Sequence, residues 1–133
     1  VDYAALRTLA ETTTSAPAVD GTGAAKFWVT RHAATLRRQR PASFAGGDYT
    51  PISAAGSASD HVVGFGRGEH GAAPDVVVLA TRASLALEST SWGDTTIALP
   101  EGEWTDRLTG ASYSGTVDAA TVFGTLPVAL LVR

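Results

Sequence analysis

A change of hydrophobic period at Pro41 is the feature that most constrains how this chain can fold. Upstream of Pro41, mainly apolar positions recur at spacings of three and four, which predicts an amphipathic helix from about Ala24 to Gln39. The positions that carry this pattern are Ala25, Trp28, Val29, His32 and Leu36. Pro41 disfavours helical backbone at the residue before it and should end the helix. Downstream, apolar residues alternate or form short runs, as they do in strands.

Short strand-like segments fill the rest of the chain and are separated by turn residues rich in glycine and proline. They cover residues 61–65, 75–80, 85–87, 95–99, 104–108, 113–117 and 127–132. Strands of this length and spacing predict an antiparallel β-sandwich. We therefore expect two parts, a helical segment over residues 1–42 and a β-sandwich domain over residues 43–133.

A shorter helix is predicted at the start of the chain. Asp2 is a suitable N-cap for a helix from Tyr3 to about Thr12, in which Leu6 and Leu9 share a face. Two helices do not make a domain by themselves, so their apolar faces must cover either the β part or protein outside this chain.

Composition excludes several classes of protein. With no cysteine among the 133 residues, disulfides and thiolate metal sites are impossible. A net charge of −3 gives no general attraction to polyanions, and no apolar run approaches the roughly 20 residues that a membrane helix needs. The N-terminus lacks the basic and apolar regions of a signal peptide, so a cytoplasmic protein is expected.

Two further features of composition bear on the origin of the chain. Arginine greatly outnumbers lysine, and asparagine is absent, a bias that indicates a high-GC bacterium. Methionine is absent as well, so we expect Val1 to be a processed or internal end and the chain to be a fragment.

Residues 66–71 read Gly-Arg-Gly-Glu-His-Gly and match a dinucleotide-binding fingerprint. That function requires a helix directly after the glycines, with its N-terminus facing the pyrophosphate. Here the chain leads into another strand-like run instead, so a flexible hairpin loop is the favoured interpretation.

The histidines and serines do not form a recognisable catalytic or metal-binding pattern. His32, His61 and His70 lack ligand partners at the usual spacings, and no metal or other cofactor is expected. His32 should be a half-buried helix residue. Ser57 and Ser59 lie close to His61 in sequence but in a glycine-serine turn, which favours a plain loop over a nucleophile.

Paired carboxylates and exposed aromatics would suit a sugar-processing site. Glu101 and Glu103 flank a glycine in a predicted turn, where both should be solvated and unsuited to acid–base work. Trp104 begins an alternating strand and should be buried. Trp92 is the best candidate for an exposed aromatic that stacks on a sugar, although a role in covering the sheet edge explains it equally well.

A cluster of arginines occupies the later half of the long predicted helix, namely Arg31, Arg37, Arg38 and Arg40. The chain as a whole is acidic, and no aromatic platform accompanies the cluster, so nucleic-acid binding is not expected. Salt bridges to a neighbouring domain are the preferred interpretation.

Several runs resemble the C-terminal part of the maltooligosyl trehalose synthases, relatives of the α-amylase-type glycoside hydrolase family 13. The resemblance lies in residues 26–31, 36–41, 60–68, 92–95, 99–100, 102–106, 108–110 and 126–132, in the family's order. It implies the last outer helices of a (β/α)8 barrel followed by an antiparallel C-terminal β-sandwich, in an α+β fragment. The family converts the reducing-end α-1,4 bond of a maltooligosaccharide to an α,α-1,1 bond, in trehalose biosynthesis.

The resemblance also implies that the catalytic carboxylates lie on barrel strands before Val1, so no catalytic residue is assigned in this chain. The partner would be the N-terminal catalytic barrel of the same protein, and maltooligosaccharide would be reached through that barrel. Residues 21–25 lack the charged residues expected of the family, which leaves a substrate role for Lys26 open.

Two other classes of function stay open, a carbohydrate-binding β module and a purely structural interaction domain. Exposed aromatics in a line on the sheet would favour the first. If the chain belongs to a barrel enzyme, we expect Trp28, Val29 and Leu36 to pack on protein outside the chain or to be exposed in its absence.

Overall fold

The structure is a computed structural model and describes residues 2–133, so that Val1, expected to be a processed or internal end, lies outside the described residues. The chain forms helices first and an antiparallel sheet afterwards. The elements are α1 (Tyr3–Thr12), α2 (Ala24–Gln39), α3 (Pro41–Phe44), β1 (Asp48–Ile52), β2 (Ala54–Ala55), β3 (Val62–Gly68), β4 (Val76–Thr81), α4 (Ser84–Thr90), β5 (Thr96–Asp106), β6 (Ser112–Asp118), α5 (Ala119–Val122) and β7 (Val128–Val132).

The two long helices have the predicted bounds. The Asp2 carboxylate caps α1 by accepting the backbone N–H groups of Ala4 and Ala5, each at 3.0 Å. Helix α2 ends at Gln39, as the proline rule predicts. Pro41 then opens the one-turn helix α3, because a proline at the first helical position has no N–H to leave unpaired. Helical structure therefore continues to Phe44.

The strands join in one seven-stranded antiparallel sheet with the order β1-β3-β4-β7-β5-β2, and β6 pairs with β5. The long strand β5 pairs with β2 near its start and with β7 near its end. Its pairing with β6 is interrupted between Ala98 and Glu103. Strand β5 thus bends, and the sheet curls over itself. This single curled sheet does not confirm the predicted sandwich of two sheets.

Three details of the strand prediction were wrong. Residues 85–87 lie in α4 rather than in a strand, and Leu85 is exposed. Residues 95–99 and 104–108 belong mainly to the continuous strand β5, since Gly102, with a φ of 121°, lets the strand bend where a turn was expected. Strands β1 and β2 were not predicted.

The core has two parts, one on each face of β4 and β7. Alternate side chains point into the curl of the sheet, and the others point outward to α2, because strand residues alternate between faces. The inner cluster includes Val77, Leu79, Ile97, Trp104 and Leu131. The outer cluster includes Trp28, Leu36, Val76, Leu108 and Leu130. Strands β4 and β7 are therefore apolar on both faces, which explains their continuous apolar runs.

The apolar face of α2 is buried within the chain itself. This is contrary to the expectation that it packs on protein outside the chain or is exposed. Trp28 is 8% exposed and Leu36 is 1% exposed, and both pack on the outer face of the sheet. Val29 is partly buried against the same cluster. The indole N–H of Trp28 also donates to the carbonyl oxygen of Leu108 at 3.0 Å. The β part of the same chain thus buries α2.

None of the helices found between residues 2 and 133 combines the length and the apolar character that crossing a membrane requires.

Candidate functional site

The most deeply buried carboxylate of the described residues, that of Asp106, serves to hold backbone segments together. Asp106, 1% exposed at the end of β5, accepts the backbone N–H groups of Leu108 and Leu130, each at 3.0 Å. It also accepts the hydroxyl of Thr109 at 2.7 Å. These bonds join the turn after β5 to β7, so the carboxylate holds this end of the sheet together.

The two glutamates at the bend of β5 are both exposed. The Arg133 guanidinium donates to the backbone carbonyl of Glu101 at 2.9 Å and lies over the ring of Trp104, 5.3 Å from its centroid. Trp104 itself is fully buried, as predicted. Glu101 and Glu103 are therefore solvated, as expected from their sequence context, even though the turn predicted there is a bend within a strand.

The histidines lie at three separate places. The Nδ1 atom of His61 is 3.0 Å from the carbonyl oxygen of Arg82, so this ring is directed at the backbone. The ring of His32 is half-buried, and its centroid lies 4.2 Å from the centroid of the Trp28 ring. Burial lowers the pKa of His32, and Arg107 lowers it further. Over the described part of the chain, no three acidic or histidine side chains converge in a way that could hold a metal ion.

The first half of the glycine-rich run, residues 66–68, ends strand β3, and residues 69–71 form the turn that leads to β4, so the run makes a hairpin and starts no helix. Asp48 fastens this loop, because its carboxylate accepts the N–H of Gly71 at 2.8 Å and lies 2.8 Å from Nδ1 of His70. The Gly71 N–H bond, followed by the bond to His70, lowers the pKa of Asp48. The loop is thus held to β1 rather than free.

Two of the four arginines in the cluster have partners within the chain, and one of them forms a salt bridge from the helical segment to the β part. Arg40 pairs with Asp75 at 2.7 Å and also donates to the carbonyl oxygen of Arg133 at 2.7 Å. Arg31 donates to the carbonyl oxygen of Ala10, at the end of α1, at 3.0 Å. Three members of the cluster are exposed, namely Arg31, Arg37 and Arg38.

An open cleft surrounds Trp92. This half-buried indole stacks on Phe123, with ring centroids 5.0 Å apart and planes inclined by 22°. The cleft has a volume of about 460 Å³, within the range of ligand pockets. Its polar lining includes Ser84, Glu88 and Ser91. An aromatic surface beside hydroxyl and carboxylate groups can contact a saccharide through stacking and hydrogen bonds.

The helix that forms one wall of this cleft is held in strained backbone at both ends. Ala83 before α4 has a φ of 50°, and Ser91 after it has a φ of 58°. Left-handed backbone costs a residue with a side chain about 1–3 kcal/mol, and such strain is concentrated at binding sites and switches. Trp92 could be predicted from the sequence as a candidate binding residue, but Glu88 and Ser84 could not, because a strand was predicted where α4 lies. The helix-forming Leu-Ala-Leu-Glu run was the available signal.

The comparisons with known proteins agree on one family name. No family model matches the chain. Two curated proteins of Mycobacterium tuberculosis, from strains CDC 1551 and H37Rv and provisionally named maltooligosyl trehalose synthase, are each 48% identical over 108 residues. The match covers 81% of this chain but only 14% of either relative, so the chain spans about one seventh of their length.

Two solved structures of maltooligosyltrehalose synthase from Arthrobacter ramosus are similar over nearly the whole chain. A point mutant matches with a TM-score of 0.88, and the other structure matches with a TM-score of 0.87. Both are 39% identical and cover 99% of this chain, which corresponds to 17% of their own. The resemblance inferred from the sequence is therefore confirmed: the chain is similar to a segment of maltooligosyl trehalose synthase.

Proposed function

We propose that this chain is the C-terminal accessory part of a maltooligosyl trehalose synthase. The observation that carries the proposal is the match to the Arthrobacter ramosus enzyme, which extends over 99% of the chain at 39% identity. A match of this extent includes the helices as well as the sheet, so it supports descent of the whole segment and not of a shared β module alone.

In this proposal the parent protein is a cytoplasmic bacterial isomerase that acts by intramolecular transglucosylation. It would convert the reducing-end α-1,4 bond of a maltooligosaccharide to an α,α-1,1 bond. The chemistry would belong to a (β/α)8 barrel outside this chain, where such barrels place catalytic residues at the carboxyl ends of their strands. Residues 1–42 would supply the last outer helices of that barrel, and residues 43–133 the C-terminal β domain, to which α2 is attached through its Trp28 face.

The environments of the acidic residues support an accessory role. Glycoside chemistry needs two carboxyl groups on either side of the reacting bond, one with a raised pKa. Here Asp106 is engaged by backbone N–H groups, and Glu101 and Glu103 are exposed on a strand bend. We therefore propose that the isolated segment is inactive and that it stabilises the enzyme.

A chimeric enzyme tests the proposal. The matching segment of the Arthrobacter ramosus synthase would be replaced by this chain, and maltooligosyl trehalose formation from maltopentaose would be measured. We expect activity within about tenfold of the parent enzyme, because 39% identity over one fold preserves the core. The chain alone should form no product. A folded but inactive chimera, or product from the chain alone, would contradict the proposal.

The cleft at Trp92 favours one alternative, a carbohydrate-binding module. In that case maltopentaose should quench the tryptophan fluorescence of the isolated chain, and Trp92→Ala should abolish the binding. Tyr49→Ala is a matched control, since Tyr49 is an exposed aromatic on β1 that does not line this cleft. Absence of binding by the wild-type chain would eliminate the alternative and leave the accessory role.

A further inference from the structure

Helix α1 lies on the surface of the chain and has no side chain buried in its core. Although Leu6 and Leu9 share one face, the helix contains no buried residue, and Tyr3 is 70% exposed. A ten-residue helix is marginal in water on its own, so its stability must come from tertiary packing. The described contacts that hold it are few. They include the bond from Arg31 to the carbonyl oxygen of Ala10.

An open apolar cleft separates α1 from α2, and we call it the α1–α2 cleft. Its volume is about 560 Å³. The lining residues come from both helices and the turn before α2, and the main ones are Leu6, Leu9, Thr22, Lys26, Phe27 and Thr30. Phe27 directly precedes Trp28 in α2 and so points about 100° away from it, since successive helical residues are separated by that angle. Helix α2 thus covers the sheet with one face and lines the cleft with another.

The solved relatives indicate what fills this space. The match to the Arthrobacter ramosus synthase covers 99% of this chain and therefore includes α1. The matched segment is only 17% of that enzyme, so most of its polypeptide lies elsewhere in the same molecule. Helix α1 buries no residue against its own segment. If it has the same position in the whole enzyme, contacts with the rest of the polypeptide must stabilise it there.

We propose that the α1–α2 cleft is the surface on which the rest of the parent synthase docks, by inserting apolar side chains between Leu6, Leu9 and Phe27. This inference rests on the proposed function and locates the contact within it. The α1–α2 cleft is a different surface from the one predicted from the sequence. The predicted face carries Trp28 and Leu36 and is already covered by the sheet. Docking removes the apolar cleft lining from water, and apolar burial is the dominant favourable term in such associations.

Assembly in two pieces tests the inference. The Arthrobacter ramosus synthase without its matching segment would be co-produced with this chain, and binding would be measured by co-purification and titration. Leu6→Asp and Phe27→Asp should each weaken binding by at least about tenfold, because each places a charge in an apolar contact. Leu85→Asp is the matched control, since Leu85 is 83% exposed on α4 and outside the cleft, and it should leave binding unchanged.

The outcomes separate the two proposals. If the wild-type chain neither binds the truncated enzyme nor restores its activity, the proposed function fails. If the wild-type chain binds and both cleft variants bind equally well, the docking inference is overturned and the proposed function stands. Amide hydrogen exchange of wild-type α1 provides a readout that does not depend on variants: we expect protection on assembly, and unchanged exchange would overturn the inference. Dimerisation of the chain alone through the cleft would assign the surface to a second copy instead.

Discussion

The indole N–H of Trp28 donates to the carbonyl oxygen of Leu108 at 3.0 Å, across 80 positions of sequence. This bond joins α2 to the turn after β5, inside the outer core cluster. If the donor is removed, the buried carbonyl of Leu108 cannot form a hydrogen bond with water instead. The bond therefore stabilises the fold and also fixes the position of α2 on the sheet.

Trp28→Phe should therefore lower the free energy of unfolding by about 1–3 kcal/mol, since it keeps most of the apolar contact and leaves the Leu108 carbonyl unpaired. Urea titration followed by far-UV circular dichroism measures the change. Trp92→Phe is the control, because Trp92 is half-buried at the edge and its stacking on Phe123 survives the substitution. Equal losses for the two variants would show that the Leu108 bond contributes nothing.

Asp106 is predicted to be the polar side chain whose loss costs most. Asp106→Ala would leave the backbone N–H groups of Leu108 and Leu130 without their acceptor in a buried site. Each unsatisfied buried donor costs about 1–3 kcal/mol, so we expect a total loss above about 3 kcal/mol in a thermal or urea melt. Asp106→Asn keeps one acceptor oxygen and should recover part of the loss. A cost below that of Glu103→Ala, at an exposed position on the same strand, would refute this assignment.

His32 should make the chain less stable in mild acid. Burial first, then Arg107 and Arg31, lower its pKa from the ordinary value of 6.5. The unfolded chain therefore binds the proton more readily than the folded chain. The contribution of the neutral ring is fully present above the ordinary pKa and is lost as pH falls through the lowered folded pKa. His32→Gln should flatten the fall in melting temperature between about pH 7 and about pH 5. An unchanged pH profile would exclude His32 as its source.

Much of this fold could be predicted from the sequence, because several elements carry an unambiguous local signal. Helix α2 has a sustained helical period and a proline directly after its last turn. Strands β4 and β7 are apolar on both faces and read as continuous runs. In contrast, the three apolar residues at 85–87 fit either a strand or a helix, because short apolar runs carry no usable period.

The partners of each face could not be predicted in the same way. A period shows that the side of α2 with Trp28 is buried, but it does not show whether the sheet or another polypeptide covers it. The contact that decides the matter involves Leu108, which is remote in sequence. For the same reason the pairing of Trp92 with Phe123 was not foreseen, whereas the solvated state of Glu101 followed from its neighbours alone.

Ser91 offers a stabilising substitution. Its φ of 58° and ψ of −179° fall in a region that glycine adopts readily and serine does not. Ser91→Gly should raise the free energy of unfolding by about 1 kcal/mol, after the entropy that glycine adds to the unfolded chain is deducted. Ser89→Gly is the matched control within α4 and should be destabilising, because glycine is a poor helix former. If both variants lose stability equally, Ser91 is not strained in solution.

Helix α1 is only weakly attached to the rest of the chain. Since this helix contains no buried residue, unfolding it exposes little apolar surface, and its opening should cost far less than opening the sheet. In the isolated chain, the amides of residues 6–12 should exchange with solvent within the dead time of a manual hydrogen-exchange experiment, while those of β4 should persist for the longest times measured. Asp2→Ala should accelerate the exchange further, because it removes the cap that accepts the N–H groups of Ala4 and Ala5. The same substitution should leave the urea midpoint of the sheet unchanged. Slow exchange of α1 in the monomeric chain, with protection like that of β4, would mean that the helix is stabilised within its own segment, and the open cleft beside Phe27 would then need no further polypeptide to explain it.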